Sequence, residues 1–133
     1  MAAVALDTDV ASLIIKNRLP AGLAAQLVGA QTAITFVTLG ELTNWSIRRG
    51  WEARRRAALD RWLAARPVLP GNEDVARRWG ELAGYATRRG RPRPTNDTWI
   101  AACCLTFGLR LATLNVSDFH NFVDHEGLVL LTA

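Results

Sequence analysis

The stretch Ala3-Val4-Ala5-Leu6-Asp7-Thr8-Asp9-Val10 decides how the rest of the chain is read. A short apolar run ends in acids, and apolar residues then resume at helical spacing. That pattern predicts a buried strand, a turn carrying carboxylates, and the start of a helix. In an open α/β sheet, ligands gather in the crevice outside the carboxyl ends of the strands. Asp7 therefore stands where chemistry would sit.

The same alternation continues outward. A helix is expected from Asp7 to Asn17, and a second from Pro20 to Gly29, with Leu23, Leu27 and Val28 at helical spacing. Residues 33–37 read as a second buried strand. It runs into Thr38-Leu39-Gly40-Glu41, where a threonine followed by a glutamate three residues on has the form of a capping box. Helices follow to Arg49 and over 51–65, the latter with its arginines on one side and Trp51, Leu59 and Trp62 on the other. Val68-Leu69, between two prolines, suits a sheet edge. A long helix capped by Asn72 or Asp74 runs through Arg89, and Gly90, Pro92 and Pro94 then impose a basic loop. The last expected elements are a helix capped by Thr95 or Asn96 and ending at Gly108, a strand over 109–114, a cap at Asn115 and a strand over 128–131. Strands alternating with helices imply a parallel sheet covered on both faces.

The chain has 133 residues, half of them hydrophobic, and no repeats or linker-like tracts, so one domain over residues 1–133 is expected. No apolar run is long enough to span a membrane. The N-terminus lacks a basic segment followed by an apolar one, so no secretory signal and a cytoplasmic location are expected. Cys103 and Cys104 are neighbours, which suits neither a disulfide nor a metal clamp; they read as small core residues. The formal charge is +4, and Lys16 is the only lysine among sixteen Lys and Arg. Arginine favours planar phosphate contacts.

Placed on this map, Asp7, Glu41, Asp97 and Asp118 each fall in the first turn of a helix, which in a parallel α/β sheet puts all four on one rim. Helix dipoles and caps account for each acid singly, but not for their convergence. Carboxylates brought together without a cation raise one another's pKa values. A hard divalent cation such as Mg²⁺ or Mn²⁺ relieves this, because it prefers carboxylate and water oxygens. Setting these four aside leaves eight acids against sixteen basic residues, a surround that suits a polyanionic substrate.

Leu6-Asp7-Thr8-Asp9-Val10, Thr38-Leu39-Gly40-Glu41-Leu42, Asn96-Asp97-Thr98-Trp99-Ile100-Ala101-Ala102 and Thr113-Leu114-Asn115-Val116-Ser117-Asp118-Phe119 resemble the motifs of PIN-domain ribonucleases, and within them the VapC toxins of bacterial toxin–antitoxin pairs. The resemblance covers nearly the whole chain, with the motifs in order. It implies a PIN-like three-layer α/β fold, a five-stranded, mostly parallel sheet flanked by helices. It also implies a Mg²⁺- or Mn²⁺-dependent endoribonuclease leaving a 3′-hydroxyl and a 5′-phosphate. Asp7 and Asp97 match metal-ligating positions, with Asp118 completing the cluster, and Glu41 matches the acid that orients or activates water. Thr113 and Asn115 match a supporting polar position, and Thr8 stands beside them in the first motif. A homodimer is implied, together with a VapB-type antitoxin whose C-terminal segment lies across the site, along the hairpin formed by residues 41–66. The chain departs from the family where Asp9 replaces the usual asparagine. Asp9 reads as a helix cap, with an outer role at the metal as the alternative.

Arg48, Arg49, Arg91 and Arg93 are candidate phosphate contacts on RNA. Trp45, Trp62 and Trp79 read as core, and Trp99, beside Asp97, as the one tryptophan placed to stack on a base. His120 and His125 read as surface residues of a polar loop. A haloacid-dehalogenase-type phosphatase or a receiver domain would share Asp7-Thr8-Asp9 but needs a lysine late in the chain, and Lys16 comes too early. The remaining alternative is a non-catalytic PIN-like module that binds RNA or a partner without cutting.

Overall fold

The computed structural model describes residues 3–133. Five strands form one sheet in the order β3-β2-β1-β4-β5, with every neighbouring pair parallel. They are β1 (Ala3–Leu6), β2 (Gln31–Thr35), β3 (Val68–Leu69), β4 (Arg110–Ala112) and β5 (Leu130–Leu131). The opening stretch thus supplies the central strand. Seven helices connect them: α1 (Thr8–Ile15), α2 (Ala21–Leu27), α3 (Phe36–Arg48), α4 (Ala53–Ala64), α5 (Glu73–Arg88), α6 (Thr95–Phe107) and α7 (Val116–Glu126).

The layers follow from the two-residue period of the strands. Val4 and Leu6 of β1, with Ala112 of β4, face a core completed by Val10, Leu23, Leu42 and Leu59 from α1 to α4. Ala5 and Leu111 face the opposite core, built with Val75, Leu82, Ile100, Phe119 and Phe122 from α5, α6 and α7. Cys103 and Cys104 are both buried there as free thiols, and burial pushes the Cys103 thiol up to about 11, so both act as small apolar groups. Gly108 ends α6 with φ of 69°, a left-handed conformation that glycine adopts without strain, and turns the chain into β4.

Several expected boundaries move. The second strand stops at Thr35 rather than at residue 37, because Thr35 is the N-cap of α3 and its hydroxyl accepts from the amide of Thr38 at 3.2 Å. Thr38 is thus inside the helix, and Glu41 lies in the second turn, not in a capping box. Asp7, not Asp9, caps α1, accepting from the amide of Thr8 at 2.8 Å. Asn72 caps α5 through the amide of Val75 at 3.0 Å. The helix beginning at Thr95 has Pro94 at its N-cap and no side-chain cap, and Asn115 occupies the N-cap of α7 without a side-chain bond. Strands β4 and β5 are shorter than expected, and His120 and His125 lie on α7 rather than in a loop.

Candidate active site

In this strand order the chain leaves β1 toward β2 on one side, while β4 lies on the other. The crevice between β1 and β4 is the switch point of the sheet, where ligands of open α/β folds bind. Asp7 follows β1 directly, and its carboxylate spans that crevice. One oxygen caps α1, and the other accepts from the hydroxyl of Thr113, just past β4, at 2.8 Å. Thr113 is fully buried and in turn accepts from the amide of Asn115 at 2.9 Å. Asp7 is thereby fixed at both oxygens. Burial raises its pKa, and the bonds from Thr113 and Thr8 oppose that rise.

Glu41 reaches the same rim from the second turn of α3. Thr8 donates its hydroxyl proton to Glu41 Oε1 at 2.7 Å and lies 2.9 Å from the hydroxyl of Thr38. A threonine has a single hydroxyl proton. With that of Thr8 given to Glu41, Thr38 must donate to Thr8, and the chain of hydroxyls has one direction. Thr8 and Thr38 are both buried, so the orientation is set by the fold. The part played by Thr38 does not show in the sequence, where it reads as a cap.

Asp97, in the first turn of α6, is half-buried, and its carboxyl is pushed up to about 6. Desolvation is the main cause, followed by the charges of Asp118, Asp7, Glu41 and Asp9, in that order. The four expected acids, joined by Asp9, therefore share one electrostatic neighbourhood. Asp118 stands in the first turn of α7 and is exposed. Asp9 does not cap a helix; its carboxylate accepts from the side-chain amide of Asn115 at 2.5 Å. Among the described residues none of these acids is in an ion pair.

Among the described residues no three acidic, histidine or cysteine side chains form a ready-made metal cage. The donor set nevertheless fits a hard divalent cation. Mg²⁺ keeps several waters and needs only one or two carboxylates, and mutual repulsion among carboxylates is the condition such an ion relieves. Asp7, Asp97 and Asp118 could hold it.

Beside the acids runs a groove of about 570 Å³, with Phe36, Trp45 and Trp99 as aromatic walls and Glu41, Asn44 and Arg48 along it. Trp99 stacks on Trp79 with ring centroids 5.0 Å apart and meets Phe36 edge-on at 5.5 Å. Trp45, Trp62 and Trp79 are partly buried against the two cores. Of the expected phosphate contacts, Arg48 lines this groove, Arg49 lies over the Trp45 ring at 4.6 Å, and Arg91 is exposed. Arg93 is a correction. Its guanidinium is buried against Glu126 at 2.7 Å, donates to Asn121 Oδ1 at 2.8 Å and covers the Phe122 ring, so it is not presented to a phosphate. The sequence gives no sign of this, because Glu126 and Asn121 lie about thirty residues away.

A family model described as "PIN domain" matches residues 4–122. Ribonuclease VapC1 of Haemophilus influenzae is 29% identical over 122 residues, covering 90% of this chain and 91% of that protein. Ribonuclease VapC5 of Mycobacterium tuberculosis is 33% identical over 115 residues, covering 84% and 82%. Among solved structures, VapBC-1 from nontypeable Haemophilus influenzae superposes with a TM-score of 0.78 at 27% identity, over 98% of this chain and 97% of that one. With the sheet order, the acids at its switch point and matches along nearly its whole length, this chain belongs to the PIN-domain family, among its VapC members.

Proposed function

We propose that this protein is an endoribonuclease that cuts RNA with the help of Mg²⁺ or Mn²⁺, and that it serves as the toxin of a toxin–antitoxin pair. The observation that carries the reading is the meeting of Asp7, Glu41, Asp97 and Asp118 at the β1–β4 crevice, close enough for Asp97 to sense the other three. The names of the VapC relatives support ribonuclease activity, and the VapBC neighbours support a VapB-type antitoxin as partner.

When bound, a divalent cation would acidify water and stabilise charge building on a phosphoryl oxygen. The protein's own contributions are positional. Thr113 and the amide of Thr8 fix both oxygens of Asp7 in one orientation. Thr8 holds one oxygen of Glu41, leaving the other to accept a proton from an attacking water. Asn115 braces Asp9 and, through its amide, Thr113. Arg48 and the aromatic groove lie where a strand entering the site would run. An antitoxin C-terminal segment lying along the same groove would block that strand. As such a toxin the protein would act in the cytoplasm, and the family resemblance implies a homodimer. No helix among the described residues is long and apolar enough to cross a membrane.

The test is cleavage of labelled RNA by purified, antitoxin-free protein with Mn²⁺ or Mg²⁺, repeated in EDTA. Cutting should stop in chelator and fall at least 100-fold in Asp7→Ala and Asp97→Ala, as expected when a core catalytic group is removed. Cleavage that persists in EDTA or in those variants would defeat the mechanism. RNA binding with no cleavage under either metal would instead indicate a binding module.

A further inference from the structure

Next to the large groove lies a smaller recess of about 320 Å³, whose lining includes Asp9, Ser12, Lys16, Trp45, Arg49 and Asn115. Trp45 borders both recesses, and Asp9 and Asn115 connect the smaller one to the acids. Lys16 closes α1 and Arg49 closes α3, positions where a helix dipole favours a cation. The dipole accounts for each of them alone but not for their meeting at one recess; Arg55 of α4 is not on its lining, but its charge reaches Lys16. Lys16 Nζ lies 5.7 Å from the centre of the Trp51 ring, and Arg55 stands 5.5 Å from the same ring. Among the described residues none of these three cations is in an ion pair.

We propose that Lys16 and Arg49, beside Trp45, form a cradle for one backbone phosphate of the RNA strand, one step from the acid cluster. The inference rests on the nuclease reading for the identity of the strand. Cations gathered in one place repel one another just as the acids do, and a bound anion removes that cost. The ammonium of Lys16 shows the repulsion: its pKa is lowered, first by desolvation and then by Arg49, Arg55 and Arg18, with Asp9 alone opposing. Asp9 is the one carboxylate on the recess, and its bond to Asn115 occupies one of its oxygens. Ser12 and the second N–H of the Asn115 side-chain amide add neutral donors. The two recesses, which share Trp45, then form a single track, aromatic in the larger and cationic in the smaller. This gives the only lysine of the chain a function that its early position denies it in a phosphatase.

The test is binding of a short fluorescein-labelled single-stranded RNA to the full chain in EDTA, by anisotropy across a salt series. The variant Lys16→Met/Arg49→Gln keeps an apolar stem on Trp51 and removes two charges. Arg77→Gln/Arg88→Gln removes two charges from exposed positions of α5, over the opposite sheet face. The first variant should bind about tenfold more weakly, with a salt slope shallower by about 0.7, the change for one phosphate contact on a single strand. The control should shift far less, and Lys16→Arg should bind as the parent does. Equal losses in both double variants, an unchanged first variant, or a parent that does not bind RNA would each overturn the cradle. So would a first variant that keeps RNA affinity but loses affinity for polyglutamate, which would assign the cradle to an acidic protein segment. RNA bound as proposed but never cut with metal would defeat the nuclease reading and leave the cradle standing.

Discussion

Thr8 shows how much a single hydroxyl can decide. It receives from Thr38, gives its proton to Glu41, and through its amide caps onto Asp7, so two carboxylates of the site take their orientation from one residue. Thr8→Val keeps the shape and the amide but removes the bond to Glu41. A bond to a charged group contributes roughly 1.5–3 kcal/mol, so kcat on RNA should fall at least about tenfold with KM little changed. Thr8→Ser, which restores the hydroxyl, should recover most of the rate. Equal losses in KM and kcat, or no rescue by serine, would reduce Thr8 to a packing role. At this scale the sequence was partly legible. Each acid stands in its motif, but which hydroxyl meets which carboxylate depends on residues thirty to a hundred positions apart. For the same reason Asp9 reads as a cap, when the cap is Asp7 and the partner of Asp9 is Asn115.

Elements hold these residues in place, and the loop between α5 and α6 carries the clearest fastening. Arg93 joins it to α7 through Glu126 and Asn121, with only 5% of its side chain exposed and 14% of that of Glu126. Asp97 follows four residues later, so the fastening helps set where α6 begins. Removing one partner of a buried ion pair strands the other charge, at a cost of about 3–5 kcal/mol, whereas replacing both with apolar groups is often neutral. Urea unfolding should therefore show Arg93→Ala losing that much stability, and Arg93→Met/Glu126→Met recovering most of it. If the double variant is as unstable as the single one, the charge argument fails. Existence and order of elements were legible because apolar periodicity and breakers such as Gly108 and Pro94 act locally. Their ends were not, because a threonine can cap from residue 35 as well as from residue 38, and only the tertiary setting chooses.

Across the whole molecule, the β3-β2-β1-β4-β5 order turns acids scattered over more than a hundred residues into neighbours. It also divides the surround: Arg48 lines the aromatic groove, and Lys16 with Arg49 line the recess that shares Trp45 with it. The fold class was legible because four separate motifs each place an acid after a strand or at a helix start. The cationic recess was not, because it forms only where the ends of α1 and α3 meet. The central claim is that the acids make a cation site, and calorimetric titration of the metal-free protein with Mn²⁺ tests it most directly. A cation must displace the proton that Asp97 carries below a pKa of about 6, so binding should release protons near that pH, and affinity should fall up to about tenfold per pH unit below it. Asp97→Asn should weaken binding and abolish that proton release. Mn²⁺ that fails to bind, or binds equally to the parent and to Asp7→Asn and Asp97→Asn, would contradict the account.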